Sequence, residues 1–88
     1  MSVERTRSYR GISVRAALGY LENVGGERVD GQDRVEGDGW SATLSSEKVS
    51  VGPSMKLTEV TVEFEGESAE TLDPVIERFS QKAIRAGG

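Results

Sequence analysis

The residues able to do chemistry are few and unevenly placed. Carboxylates crowd one stretch, with Glu59, Glu63, Glu65, Glu67, Glu70 and Asp73 in close succession, and arginines gather near the start at Arg5, Arg7, Arg10 and Arg15. Histidine and cysteine are both absent. That removes the usual proton carrier near neutral pH, the commonest metal ligand, every thiolate site and every Ser-His or Cys-His arrangement. Glu59, Glu63 and Glu65 lie along one face of an expected strand. Carboxylates strung out in this way do not converge as calcium requires, with six to eight oxygens drawn from a tight loop. A solvated outer face, or a docking row Glu59, Thr61, Glu63 for a protein partner, is the chemistry that this spacing allows. No metal site, no cofactor and no enzymatic activity are expected.

Gly87-Gly88, two residues beyond Arg85, is the other feature with chemistry in it. Ubiquitin-like proteins and sulfur carriers end in two glycines. A chain free of side chains can thread the narrow channel of an activating enzyme and present a carboxylate for adenylation. The plainer reading is a helix followed by its C-terminal glycine. The other glycine-rich strings, Gly25-Gly26 and Gly37-Asp38-Gly39, lack the spacing of a phosphate loop and read as turns.

The 88 residues suffice for one domain. The hydrophobic share is 35% and the charged share 30%, lean but periodic enough to fold. The formal net charge of −4 disfavours nucleic acid, which needs a concentrated basic surface. No run approaches the roughly 20 apolar residues of a membrane span, and the first residues lack a signal-peptide core. A cytoplasmic protein without membrane association is expected.

The elements that must position these residues follow from hydropathy period. Residues 1–7 are polar and are expected to fray. Residues 8–12 form a short strand. Ser13 caps a helix in which Val14, Ala17, Leu18 and Leu21 share one face, and Val24 with Gly25-Gly26 ends it. Residues 27–39 carry one interrupted strand, or two fragments, at a sheet edge. Trp40, Ala42 and Leu44 alternate with Ser41, Thr43 and Ser45, which makes a half-buried strand and places Trp40 in the core. Residues 45–48 are expected to turn the chain and 49–52 to return it, until Pro53 stops the strand. In residues 55–65, Val60, Val62 and Phe64 oppose Glu59, Thr61, Glu63 and Glu65. Met55 and Leu57 break that phase, which predicts a bulge near Thr58. In the last helix Asp73 is the expected cap, Pro74 the first residue and Leu72, Val75, Ile76, Phe79 and Ala83 the apolar face. A separate turn over 68–72 precedes it, and 86–88 trail off as a flexible tail.

The order strand, helix, four strands, helix predicts an α+β sandwich of two layers, an antiparallel sheet with both helices on one face. Its expected core holds Leu18, Leu21, Trp40, Leu44, Val60, Val62, Phe64, Ile76 and Phe79. The order β-α-β-β-β-β-α resembles the TATA-binding-protein-like fold. It differs from the ubiquitin-like β-grasp, which sets a hairpin before its first helix.

Taken in order, several strings are similar to the C-terminal domain of MoaD-related proteins. They are Tyr20-Leu21-Glu22, Gly25-Gly26, Glu36-Gly37-Asp38-Gly39, Val51-Gly52-Pro53, Val60 through Gly66, and Arg85-Ala86-Gly87-Gly88. The likeness runs over roughly residues 10–88. In those prokaryotic chains a molybdopterin-synthase-type sulfur-carrier domain precedes a second domain of unassigned role, which is TBP-like. The resemblance therefore implies a place beside cofactor sulfur chemistry, with no catalytic residues supplied. It implies an accessory domain that meets a protein partner, either a separate sulfur carrier or its activating enzyme. Candidate contacts are Glu59, Thr61, Glu63 and Arg85. The alternative is a free-standing sulfur carrier or ubiquitin-like modifier activated at Gly87-Gly88. The β-grasp carrier domain itself is not among these residues.

Overall fold

A computed structural model describes residues 2–29, 31 and 33–87, without the side chains of 85–87. The elements run β1 (Val3–Arg10), α1 (Val14–Asn23), β2 (Glu27–Arg28), β3 (Arg34–Gly37), β4 (Trp40–Ser50), β5 (Lys56–Gly66) and α2 (Ala69–Gly87). All strands join one sheet in the order β1-β5-β4-β3-β2, each pairing antiparallel. The expected α+β order of strand, helix, four strands and helix is the order found.

Period 2 builds the inner face. Ala42 opposes Phe64, Leu44 opposes Val62, Trp40 opposes Gly66 and Val35 opposes Ala42. Residues directly opposed share a face, so these side chains form a single apolar floor. The helices close over it, α1 with Ala17, Leu18 and Leu21, and α2 with Leu72, Val75, Ile76, Phe79 and Ala83. All nine residues expected in the core are buried. Ser13 caps α1 as its sequence indicates, its Oγ accepting from the Ala16 N–H at 3.1 Å. The helix ends at Val24, and Gly25 takes φ +104°. Trp40 is 8% exposed, and its indole sits where a Cβ on Gly37 would overlap it. The Gly37-Asp38-Gly39 string thus admits a large ring as well as making a turn.

Phe79 is the centre of the helix–sheet contact. Its ring meets Tyr9 at a centroid distance of 5.1 Å, Phe64 at 5.7 Å and Tyr20 at 6.3 Å, each edge to face. Tyr9 is half-buried, and its hydroxyl reaches Ser80 Oγ at 2.6 Å. One side chain of α2 therefore touches α1, β1 and β5.

Several boundaries differ from the sequence reading. β1 starts at Val3 and pairs with β5 through Arg10, so 3–7 are strand where fraying was expected. Its polarity reflects an edge position: the inner phase of an edge strand tolerates Arg5 and Arg7, and charges there discourage aggregation. Ile12, expected at the strand's end, is a buried loop residue. Residues 45–48 do not turn. β4 runs unbroken to Ser50, and the turn comes at Gly52, where φ is +127°, closed by Val51 N–H to the Met55 carbonyl at 2.9 Å. The fourth strand comes instead from the 27–39 segment, which supplies two edge fragments. No bulge interrupts β5: its register with β4 is continuous from Trp40↔Gly66 to Ser50↔Lys56. Leu57 keeps its outward phase, opposite Val49.

The helix α2 begins at Ala69, five residues before the expected first residue Pro74, so 68–72 are not a separate turn. Ser68 is the cap in place of Asp73, its Oγ accepting from the Thr71 N–H at 3.2 Å. Pro74 then stands inside the helix and cannot donate to the Glu70 carbonyl one turn back. Both residues are exposed, so water can serve that carbonyl. The backbone stays helical to Gly87. Of the tail expected over 86–88, Ala86 and Gly87 continue the helical backbone, and Gly88 lies outside the described residues.

Replacing Phe79 with alanine is expected to cost about 3–5 kcal/mol, the usual range for a buried aromatic side chain. Urea denaturation of the two proteins measures it, and an unchanged midpoint would remove Phe79 from its central role.

Candidate functional site

Among the described residues no helix lies over the second face of the sheet. The register assembles it in rows across the strands. One row holds Glu4, Glu65, Ser41, Glu36 and Glu27. The next holds Thr6, Glu63, Thr43 and Arg34. Ser8, Thr61 and Ser45 follow, and then Arg10, Glu59 and Glu47. Seven glutamates and six hydroxyl side chains thus share the surface with two arginines.

Few of these carboxylates are neutralised. Arg10 Nε donates to Glu59 Oε2 at 3.0 Å, and Arg34 Nε lies 3.6 Å from Glu36 Oε1. Arg34 also donates through Nη1 to Thr43 Oγ1 at 2.8 Å, and the Ser8 and Thr61 hydroxyls meet at 3.2 Å. Glu63 and Glu65 have no ion-pair partner among the described residues. Along β5, Glu63 and Glu65 are two strand residues or about 7 Å apart, and Glu59 and Glu63 are four residues or about 13 Å apart. That spacing suits a row of separate ammonium or guanidinium groups and is too wide for one metal ion. Among the described residues no cluster of three or more ligating side chains could hold a metal.

The surface is concave at one end. An open hollow of about 610 Å³ lies between the β3–β4 turn and the end of β5, with Arg34, Glu36, Ser41, Glu65 and Glu67 on its walls. A smaller one of about 220 Å³ adjoins it beside Thr6, Glu63 and Thr43. Arg34, Ser41 and Glu65 border both. The hollows are shallow and polar, unlike the enclosed, mostly apolar pockets of small-molecule sites.

Of the residues singled out from sequence, Glu59, Thr61 and Glu63 stand together on this face, at consecutive outward positions of β5. Arg85 does not join them. It belongs to the last turn of α2, in the layer on the other side of the sheet, as does Gly87. Gly88 lies outside the described residues. Glu4 and Thr6 are not legible as members of this face in a sequence whose first expected strand starts at Ser8, and neither is the part played by Ser8, Glu27, Glu36 and Glu47. The alternation of Glu4, Thr6, Ser8 and Arg10 with Val3, Arg5, Arg7 and Tyr9 was the available signal.

The model of the archaeal MoaD-like protein family matches residues 5–88, and the chain belongs to that family. The match takes in most of β1 as well as the stretch from residue 10 that carries the resemblance in the sequence. No curated protein matches the chain. Among the described residues no helix is long and apolar enough to cross a membrane.

None of the buried core lies on the open face, so Glu63→Lys, and Thr61→Lys despite its bond to Ser8, are each expected to shift stability by no more than about 1 kcal/mol. Thermal melts check this. A loss of several kcal/mol would make the face structural.

Proposed function

We propose that this archaeal MoaD-like chain is a non-enzymatic accessory domain of a sulfur-carrier system and works by holding a protein partner against its open sheet face. The partner is a separate sulfur carrier or the enzyme that activates it, in the molybdopterin pathway or a related sulfur transfer. Glu59, Thr61 and Glu63 form the middle of the contact. The observation that carries this reading is the unbalanced charge of a face that holds none of the buried core: seven glutamates against two arginines, with hydroxyls between. A basic partner surface would complement it and would be steered to it by long-range attraction. Exposed charges are screened over about 8–10 Å at physiological salt, so binding by this face must weaken as salt rises. The domain works in the cytoplasm, where carrier and activating enzyme would meet it.

A second reading draws on the same family membership. In it the chain is itself a carrier or modifier, and Gly87-Gly88 is the group activated. Two features weigh against it. The element order is not that of a β-grasp, whose surface an activating enzyme would also contact. Ordering a free tail costs about 1–2 kcal/mol per residue and supplies little binding energy.

The two readings separate in one set of measurements on the host's activating enzyme and sulfur carrier. ATP–pyrophosphate exchange is followed with the chain, with a form lacking Gly88 and with a true carrier. Affinity for both proteins is measured for the wild type, for Glu59→Lys/Glu63→Lys and for the form lacking Gly88. The accessory role predicts background exchange, and binding that the charge reversal weakens and the deletion spares. Exchange equal to that of the true carrier, lost on deletion of Gly88, would replace it with the carrier reading.

A further inference from the structure

The hairpin end of β4 and β5 extends beyond the helical layer. There the inner-phase residues Ser46, Lys48, Ser50 and Lys56 are polar and exposed. The apolar side chains have moved to the outer phase, where Val49 opposes Leu57, and Val51 and Met55 are 42% and 59% exposed. The two faces of the sheet have exchanged character in this arm.

Its backbone is also open. In β4 the even-numbered residues turn their hydrogen-bonding groups toward β3, as the bond from Leu44 N–H to the Asp33 carbonyl at 2.8 Å shows. The odd-numbered ones turn toward β5, as Val51 N–H to the Met55 carbonyl shows. But β3 begins at Arg34, opposite Thr43. Beyond Leu44, the N–H and C=O groups of Ser46, Lys48 and Ser50 face an edge that no strand occupies among the described residues. The long edge on β1 is treated differently. Gly11 N–H bonds the Thr58 carbonyl, which puts the even-numbered residues of β1 on the free side. There Arg5 Nη1 and Arg7 Nη1 donate to the Glu4 and Thr6 carbonyls, both at 2.9 Å. The β1 edge is occupied by its own guanidinium groups. The β4 edge has no such guard, since Lys48 Nζ turns across its own hairpin to Thr58 Oγ1 at 2.8 Å. Unguarded edges of this kind are templates for strand addition.

We propose that this edge pairs antiparallel with the same edge of a second copy, with Val49 on the two-fold axis. Charge fixes the register. Centring the pair on Lys48 would oppose two lysines, and centring it on Glu47 would oppose two glutamates, each unfavourable. Centred on Val49, Lys48 meets the partner's Ser50, Glu47 meets the partner's Val51 and Val49 meets the partner's Val49. The two Lys48–Ser50 positions are the hydrogen-bonded pairs, each exchanging two main-chain bonds. Val49, Val51 and Leu57 of both copies then make one apolar cluster on the outer side of a sheet that runs β1-β5-β4 and, across the axis, β4-β5-β1 of the second copy. About five residues a side is far below the roughly 20–30 of a standard interface, so the dimer is weak. This inference is independent of the partner proposed for the acidic face.

The natural chain has no cysteine, which permits a test of register. In a non-hydrogen-bonded antiparallel pair the two Val49 Cα atoms are about 4.5 Å apart. A disulfide spans about 4.4–6.8 Å. The two Ser50 Cα atoms, offset by two residues, are about 9 Å apart and out of reach. Val49→Cys and Ser50→Cys, both checked for native circular dichroism, are oxidised with oxidised glutathione at about 100 µM. Val49→Cys is expected to form covalent dimer at least about tenfold faster. Sedimentation of the wild type from about 10 µM to 1 mM should rise from the 9.5 kDa monomer toward twice that mass, and Val49→Glu should stay monomeric. Equal cross-linking rates, or a wild type still monomeric at about 1 mM, would overturn the proposal.

Discussion

The contact of Phe79 with the sheet is the constraint on which the rest depends. An 88-residue chain buries too little surface to spread its apolar contacts widely, and here four of its five aromatic rings meet at one point. Phe79 comes from α2, Tyr20 from α1, Tyr9 from β1 and Phe64 from β5. The N-terminal strand and the C-terminal helix are thereby tied together, and the Tyr9–Ser80 hydroxyl contact adds a polar bond beside the ring pair. β5 lies under this cluster between β1 and β4, so the position of α2 also fixes which face of the sheet is covered.

Covering one face with both helices leaves the other to solvent. The consequence is a division of labour along β5. Its even-numbered residues Val60, Val62 and Phe64 hold the fold, and its odd-numbered residues Glu59, Thr61, Glu63 and Glu65 do not. Change on the open face is therefore cheap for stability, and its charge can be shaped by what it meets. The hairpin arm follows a different rule because no helix reaches it, and there the apolar phase passes to the outer side.

What could be read from the sequence was whatever periodicity and burial determine together. Trp40, Ala42, Leu44 and Val60, Val62, Phe64 alternate because one face is dry, and the face bearing Glu59, Thr61 and Glu63 follows from the same alternation. Segments lacking that contrast were misread. β1 is an edge strand with arginines at Arg5 and Arg7 in its inner phase, so it resembles a frayed terminus. Residues 45–48 are polar because the arm is solvated on both sides, which imitates a turn. Leu57 looked like a slip of register because the bulge was inferred from a core face that does not extend so far. Pro74 suggested a helix start, since its cost within an exposed turn of α2 is invisible without the fold. The family was legible in the order of short strings from Tyr20 to the Arg85-Ala86-Gly87-Gly88 stretch, none of them specific alone.

The proposed role of the open face is tested most directly by amide chemical-shift perturbation. Labelled chain is titrated with the host's sulfur carrier and, separately, with its activating enzyme. A docking face predicts shifts at Thr6, Ser8, Thr43, Glu59, Thr61 and Glu63, with α2 unmoved. Shifts confined to the last turn of α2 and the Gly87-Gly88 pair, with the sheet unmoved, would contradict it.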